Sequence, residues 1–157
     1  MPMTLHTILG DLVSVNHRLT RVAAHAAVNP ESPAVWRTLS ALRESGSIRL
    51  GELAVRSRVS QPTATKLVSH LELRGWATRL SDPLDARVSQ TVITPAGEAA
   101  LLGWRDEIAT ALLPMFADLP AADIAVLERA LWILRDRVDR SDPVGLAAPI
   151  AELGGER

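Results

Sequence analysis

Apolar residues recur along this chain at helical spacing, with one interruption that alternates instead. Over residues 5–27, Leu5, Ile8, Leu9, Leu12, Val13, Val15, Leu19, Val22, Ala23, Ala26 and Ala27 follow the i, i+3, i+4, i+7 rule. The apolar set is wider than one stripe, because Val15 lies off the Leu5, Leu12, Leu19 line. A terminal helix that apolar calls for cover beyond its own core, such as a second subunit. Asn29-Pro30 ends it, since the residue before proline disfavours the helical region.

Ser32-Pro33 reads as an N-cap followed by proline at the first helical position. The helix it starts runs through Val35, Trp36, Leu39 and Leu42 to Gly46, a C′ residue. Ile48, Arg49 and Leu50 alternate but are too few to assign. Residues 51–57 form a short helix around Leu53 and Ala54, Val59-Ser60 turns the chain, and Ser60 caps a helix over 61–74 that Gly75 stops. Two β-like pieces, 76–80 and 88–93, flank the turn-rich Ser81-Asp82-Pro83-Leu84-Asp85, a hairpin with a loop longer than two residues. Thr94-Pro95 caps a helix over 96–116, and Leu119-Pro120 breaks it. The last helix, 121–140, sets Ile124, Leu127, Leu131, Leu134 and Val138 on one stripe. The Pro-, Gly- and Ala-rich tail from Ser141 is expected to be loose. The expected fold class is mainly α, six helices with a small β-hairpin.

A short helix, a tight turn and a longer helix make a helix-turn-helix, whose second helix can lie in the DNA major groove with its N-terminal side chains at base edges. With Ala64, Leu67, Val68 and Leu71 inward, the outer arc holds Ser60, Gln61, Pro62, Thr63, Thr65, Lys66, Ser69 and His70. Gln pairs with adenine, Thr bonds a base or touches a thymine methyl, and Lys meets guanine or phosphate. An ordinary solvated face would show the same residue types.

Charge shifts the balance modestly. Residues 36–90 hold nine Arg or Lys against five acids, net +4, while residues 91–157 hold six Arg against eleven acids, net −5. A basic middle fits a face built to meet an anion, although scatter accounts for so small an excess. Apolar residues make up 47% of the 157 and charged residues 22%, enough for a real core. There is no cysteine, which excludes disulfides, thiolate metal sites, a catalytic thiol and thiol redox sensing. No apolar run reaches the ~18–20 residues of a membrane span, and no basic-then-apolar leader opens the chain, so the cytoplasm is the expected compartment.

The hairpin carries the most specific signal. Gly51-Glu52-Leu53-Ala54, Val59-Ser60-Gln61-Pro62-Thr63 and Leu71-Glu72-Leu73-Arg74-Gly75-Trp76 are followed by Asp85-Ala86-Arg87 and Thr94-Pro95-Ala96-Gly97. Together they resemble the winged helix-turn-helix of the MarR family of bacterial transcriptional regulators. The first segments are shared by many helix-turn-helix families; D-x-R followed by T-x-x-G is far more specific. The flanking helices extend the likeness over most of residues 5–140.

The resemblance implies a wing tip that enters the minor groove, with Arg87 as the inserted cation, drawn by the enhanced negative potential of a narrow A·T-rich groove. Asp85 either orients that guanidinium or simply forms the turn. Arg79 and Arg74 are candidate phosphate contacts, Arg74 alternatively a cap of helix carbonyls. It also implies a homodimer formed by the first and last helices, with recognition helices ~34 Å apart on a near-palindromic operator. The organisation expected is a dimerisation helix over 1–30, a DNA-binding lobe over 31–97, completing helices over 98–140 and a tail over 141–157. Repression is the family's usual mode, and many members are released by a small aromatic or anionic ligand. Here the nearest candidates for a ligand site are His17, Arg18, Arg21 and Trp36, against which stands the plainer reading of Trp36 as core and the arginines as surface.

No metal or other cofactor is expected. His6, His17, His25 and His70 lack ligand spacing, although His17 and His25 share a helix face. An enzyme is not expected either: nucleophile-elbow, P-loop and dinucleotide motifs are missing, and Asp106-Glu107 sit side by side on a helix where they do not share a face. The competing class is a protein-interaction module on a winged-helix scaffold that has lost specific DNA binding.

Overall fold

The structure, a computed structural model, describes residues 3–26, 31–81 and 89–141. The break expected at Asn29-Pro30, the wing residues Asp85 and Arg87, and the tail beyond Ser141 lie outside the described residues. The elements run α1 (Leu5–Ala26), α2 (Pro33–Ser45), β1 (Ser47–Arg49), α3 (Leu50–Ser57), α4 (Gln61–Leu73), β2 (Ala77–Ser81), β3 (Ser89–Ile93), α5 (Pro95–Leu112) and α6 (Ala121–Asp139). The chain divides into two compact units, Met1–Pro114 and Met115–Arg157.

In the first unit, α2 drives Val35, Trp36, Leu39 and Leu42 into one core with Ile48, Leu53, Val68, Leu71, Ala77 and Leu101. Each of α2, α3, α4 and α5 therefore buries one face against the others. The three strands form an antiparallel sheet in the order β1-β3-β2, with Ile48 opposite Thr91 and Arg79 opposite Thr91 on the other side. Residues 47–49 carry too little pattern to announce a strand; β3 makes them one by supplying partners.

The junction between sheet and α5 explains the T-x-x-G signature. Thr94 caps α5: its side-chain oxygen accepts from the Gly97 N–H at 3.1 Å and its hydroxyl donates to the Gly75 carbonyl at 2.6 Å. The Thr94 N–H donates to the Trp76 carbonyl at 3.0 Å. That pulls the first turn of α5 onto the Trp76 backbone so closely that a Cβ on Gly97 would run into the Trp76 carbonyl oxygen. Only glycine fits there.

The helix expected over 96–116 is shorter than its apolar pattern. It ends at Leu112, and Leu113–Phe116 tightens into a 3-10 turn. Pro114 is the physical reason, since it has no N–H to give and its ring crowds the preceding turn.

Helix α1 packs against α5, yet among its described side chains only Ala23 is buried. Leu5, Ile8, Leu9, Val13 and Val15 stay exposed. In the second unit, α6 buries no residue at all. Among the described residues, no helix is long and apolar enough to cross a membrane.

Candidate nucleic-acid interface

Helix α4 is anchored by one face and free on the other. Ala64, Val68 and Leu71 are buried and Leu67 packs against the core, as the spacing requires. Gln61, Pro62, Thr63, Thr65, Lys66 and Ser69 are exposed. The N-terminus is fixed by Ser60, whose Oγ accepts from the Thr63 N–H at 3.3 Å and shares a 2.8 Å hydrogen bond with Thr63 Oγ1. Thr65 Oγ1 donates to the Gln61 carbonyl at 3.1 Å. The first two turns thus hold hydrogen-bonding groups and one ammonium on a rigid rod, the arrangement that direct readout in a major groove needs.

The other sequence-derived candidates fall in different places. His70 is turned toward Glu31, with Nε2 2.8 Å from Oε2 of a carboxylate that is only 12% exposed. Arg74, one turn later, sets Nε 3.3 Å from Oε1 of the same Glu31 and lays its guanidinium over the Trp76 ring, 4.5 Å from the centroid. Glu31 therefore ties the last turn of α4 to its C-cap residue. Arg79 sits 3.4 Å from Glu72. His17, Arg18 and Arg21 are on α1 and do not line the cleft beside Trp36. That cleft, about 240 Å³, is bounded by Glu31, Trp36, Arg74, Trp76, Ala100, Gly103 and Glu107. Trp36 itself is 4% exposed, and its ring stacks on Trp104 at 5.0 Å and on Trp76 at 5.7 Å. It is a core residue whose edge reaches the cleft. Among the described residues, no group of three or more His, Cys, Asp or Glu could hold a metal ion.

The turn before α4 contains what sequence reading missed. Arg58 adopts left-handed backbone angles, φ 55° and ψ 47°, the one non-glycine with positive φ among the described residues. Its N–H donates to the Val55 carbonyl at 3.1 Å, and the Val59 N–H donates to the Ala54 carbonyl at 3.0 Å. This is a Schellman closure with arginine at the C′ position that usually falls to glycine. No composition or spacing rule marks that position; only the backbone angle reveals it.

A core-anchored helix-turn-helix followed by the two arms of a β-hairpin defines a winged-helix DNA-binding protein of the transcriptional-regulator class. Residues 32–89 match the model of the MarR family. An HTH-type transcriptional regulator of Mycobacterium bovis is 28% identical over 116 residues, 72% of this chain and 81% of that protein. The crystal structure of apo MarR from E. coli superposes with a TM-score of 0.64 at 22% identity, covering 85% of this chain and 98% of that one. The regulator PcaV from Streptomyces coelicolor, crystallised with its natural ligand, gives 0.54 at 21%, covering 87% and 97%. MarR-family regulators bind DNA and act as dimers, and some bind small-molecule ligands.

Proposed function

We propose that this chain is a homodimeric, sequence-specific repressor that binds a near-palindromic operator and leaves it when a small aromatic acid enters the cleft beside Trp76. The observation that carries the reading is α4: a capped, core-anchored helix whose first two turns expose Gln61, Thr63, Thr65 and Lys66. Gln61 and the threonines read bases, Lys66 meets guanine or phosphate, and Arg87 on the wing enters the minor groove. The exposed apolar residues of α1 and, separately, those of α6 support a second copy as their cover.

Ligand release follows from the Glu31 grip. A carboxylate that pairs with Arg74 competes with Glu31, and the C-terminal end of α4 loses one of its two ties to Glu31. His70 then serves α4's position rather than the bases. The protein-interaction alternative is not favoured by the comparisons.

Sequencing the genomic fragments retained by the purified protein tests the reading. A recovered palindrome is the expected result, and salt-insensitive or sequence-blind retention counts against it. On that operator, Gln61→Ala should lose about 1–3 kcal/mol of base discrimination at one position. Arg87→Ala should weaken binding by a similar ~1–3 kcal/mol.

A further inference from the structure

We propose that Arg58 is a DNA-phosphate anchor, placed by the backbone of the turn at the flank of the recognition helix; this rests on the DNA-binding reading above. Two helices of the lobe end in the same hydrogen-bond pattern. At the end of α4, the Gly75 N–H donates to the Glu72 carbonyl at 2.9 Å and the Trp76 N–H to the Leu71 carbonyl at 2.8 Å, with Gly75 at φ 71°. At the end of α3 the equivalent position is Arg58 at φ 55°. Glycine adopts that conformation without penalty and arginine does not. A strained backbone held at one residue is grounds for asking what its side chain does.

That side chain is exposed and has no ion-pair partner among the described residues. Three other arginines of the lobe differ. Arg56 is bound by Glu52 at 3.0 Å, Arg74 by Glu31 and Arg79 by Glu72. A guanidinium already paired with a carboxylate brings little net charge to DNA, whereas a free one releases counterions when it meets a phosphate. The turn itself is held from behind, where Arg37 Nε donates to the Ser57 carbonyl at 3.4 Å. Arg58 is therefore fixed two residues ahead of the Ser60 cap, beside the exposed start of α4. Its ligand is the sugar-phosphate backbone, not a base edge, because it lies off the α4 arc.

The test uses the full chain and an operator fragment recovered with the wild type, with dissociation constants measured over a salt series. Arg58→Gly should lower the slope of log K against log salt by about one per protomer, and weaken binding several-fold at moderate salt. The same substitution should raise the thermal midpoint, since it removes the left-handed penalty. Arg58→Lys should keep the slope. Arg56→Ala should change it less than Arg58→Gly does. An unchanged slope in Arg58→Gly, or equal losses for Arg56→Ala and Arg58→Gly, overturns the anchor and leaves the DNA reading standing. A wild type that retains no fragment overturns both.

Discussion

In the winged lobe Leu39, Leu42, Leu53 and Leu71 have lost all contact with water, whereas along α6 Ile124, Leu127 and Leu131 are each more than half exposed. Both regions are built from leucine-rich helices of similar pattern. The lobe closes because four helices and a sheet of one chain converge on a single core. Helix α6 has the same kind of apolar residues and buries none of them. Full burial of such a side chain is worth ~1.5–3 kcal/mol. The lobe collects that gain within one chain, while the exposed faces of α6 and α1 can collect it only from another surface, which the proposed homodimer supplies.

Substitutions can break or sharpen this contrast. The largest effect is expected from Leu39→Ala, which leaves a cavity in the closed core and should cost about 2–5 kcal/mol. Urea unfolding should show that loss unchanged across protein concentrations. In α6, Leu131→Ala should cost about 1.5–3 kcal/mol, with a loss that deepens on dilution, as the proposed homodimer requires. A loss within about 0.5 kcal/mol at every concentration would place Leu131 on a solvated surface and remove the contrast. Gly97→Ala should cost ~1–3 kcal/mol through collision with the Trp76 carbonyl. Its thermal unfolding, compared with that of the exposed Gly103→Ala, separates collision from a helix-propensity change. The smallest loss is expected from Thr94→Ala, about 1 kcal/mol for the missing α5 cap, read by the same melt.

The reach of the sequence differs between particular residues. Ser60 and Thr94 announce their helices because a side-chain oxygen ahead of a proline-initiated turn satisfies free N–H groups locally. The inward set of α4 follows from 3.6-residue periodicity alone. By contrast, the end of α5 depended on Pro114 outweighing an apolar run that continues to Phe116. The strand at Ser47–Arg49 is invisible without β3, since three residues acquire a ladder only from a partner more than forty positions away.

The candidate interface divides in the same way. The exposed arc of Gln61, Thr63, Thr65 and Lys66 was legible because helix geometry assigns faces without reference to the rest of the molecule. The placement of His70 and Arg74 was not: both meet Glu31, which is 39 residues from His70 in the chain. Trp36 belongs to a stack with Trp76 and Trp104 that only packing brings together. Local hydrogen bonding and helical periodicity are written in neighbouring residues, so the sequence by itself determined the helices, the Ser60 and Thr94 caps and the exposed arc of α4. Ion pairs, ring stacks and the strained turn at Arg58 join residues through space or through backbone angles, and only the tertiary structure decided them.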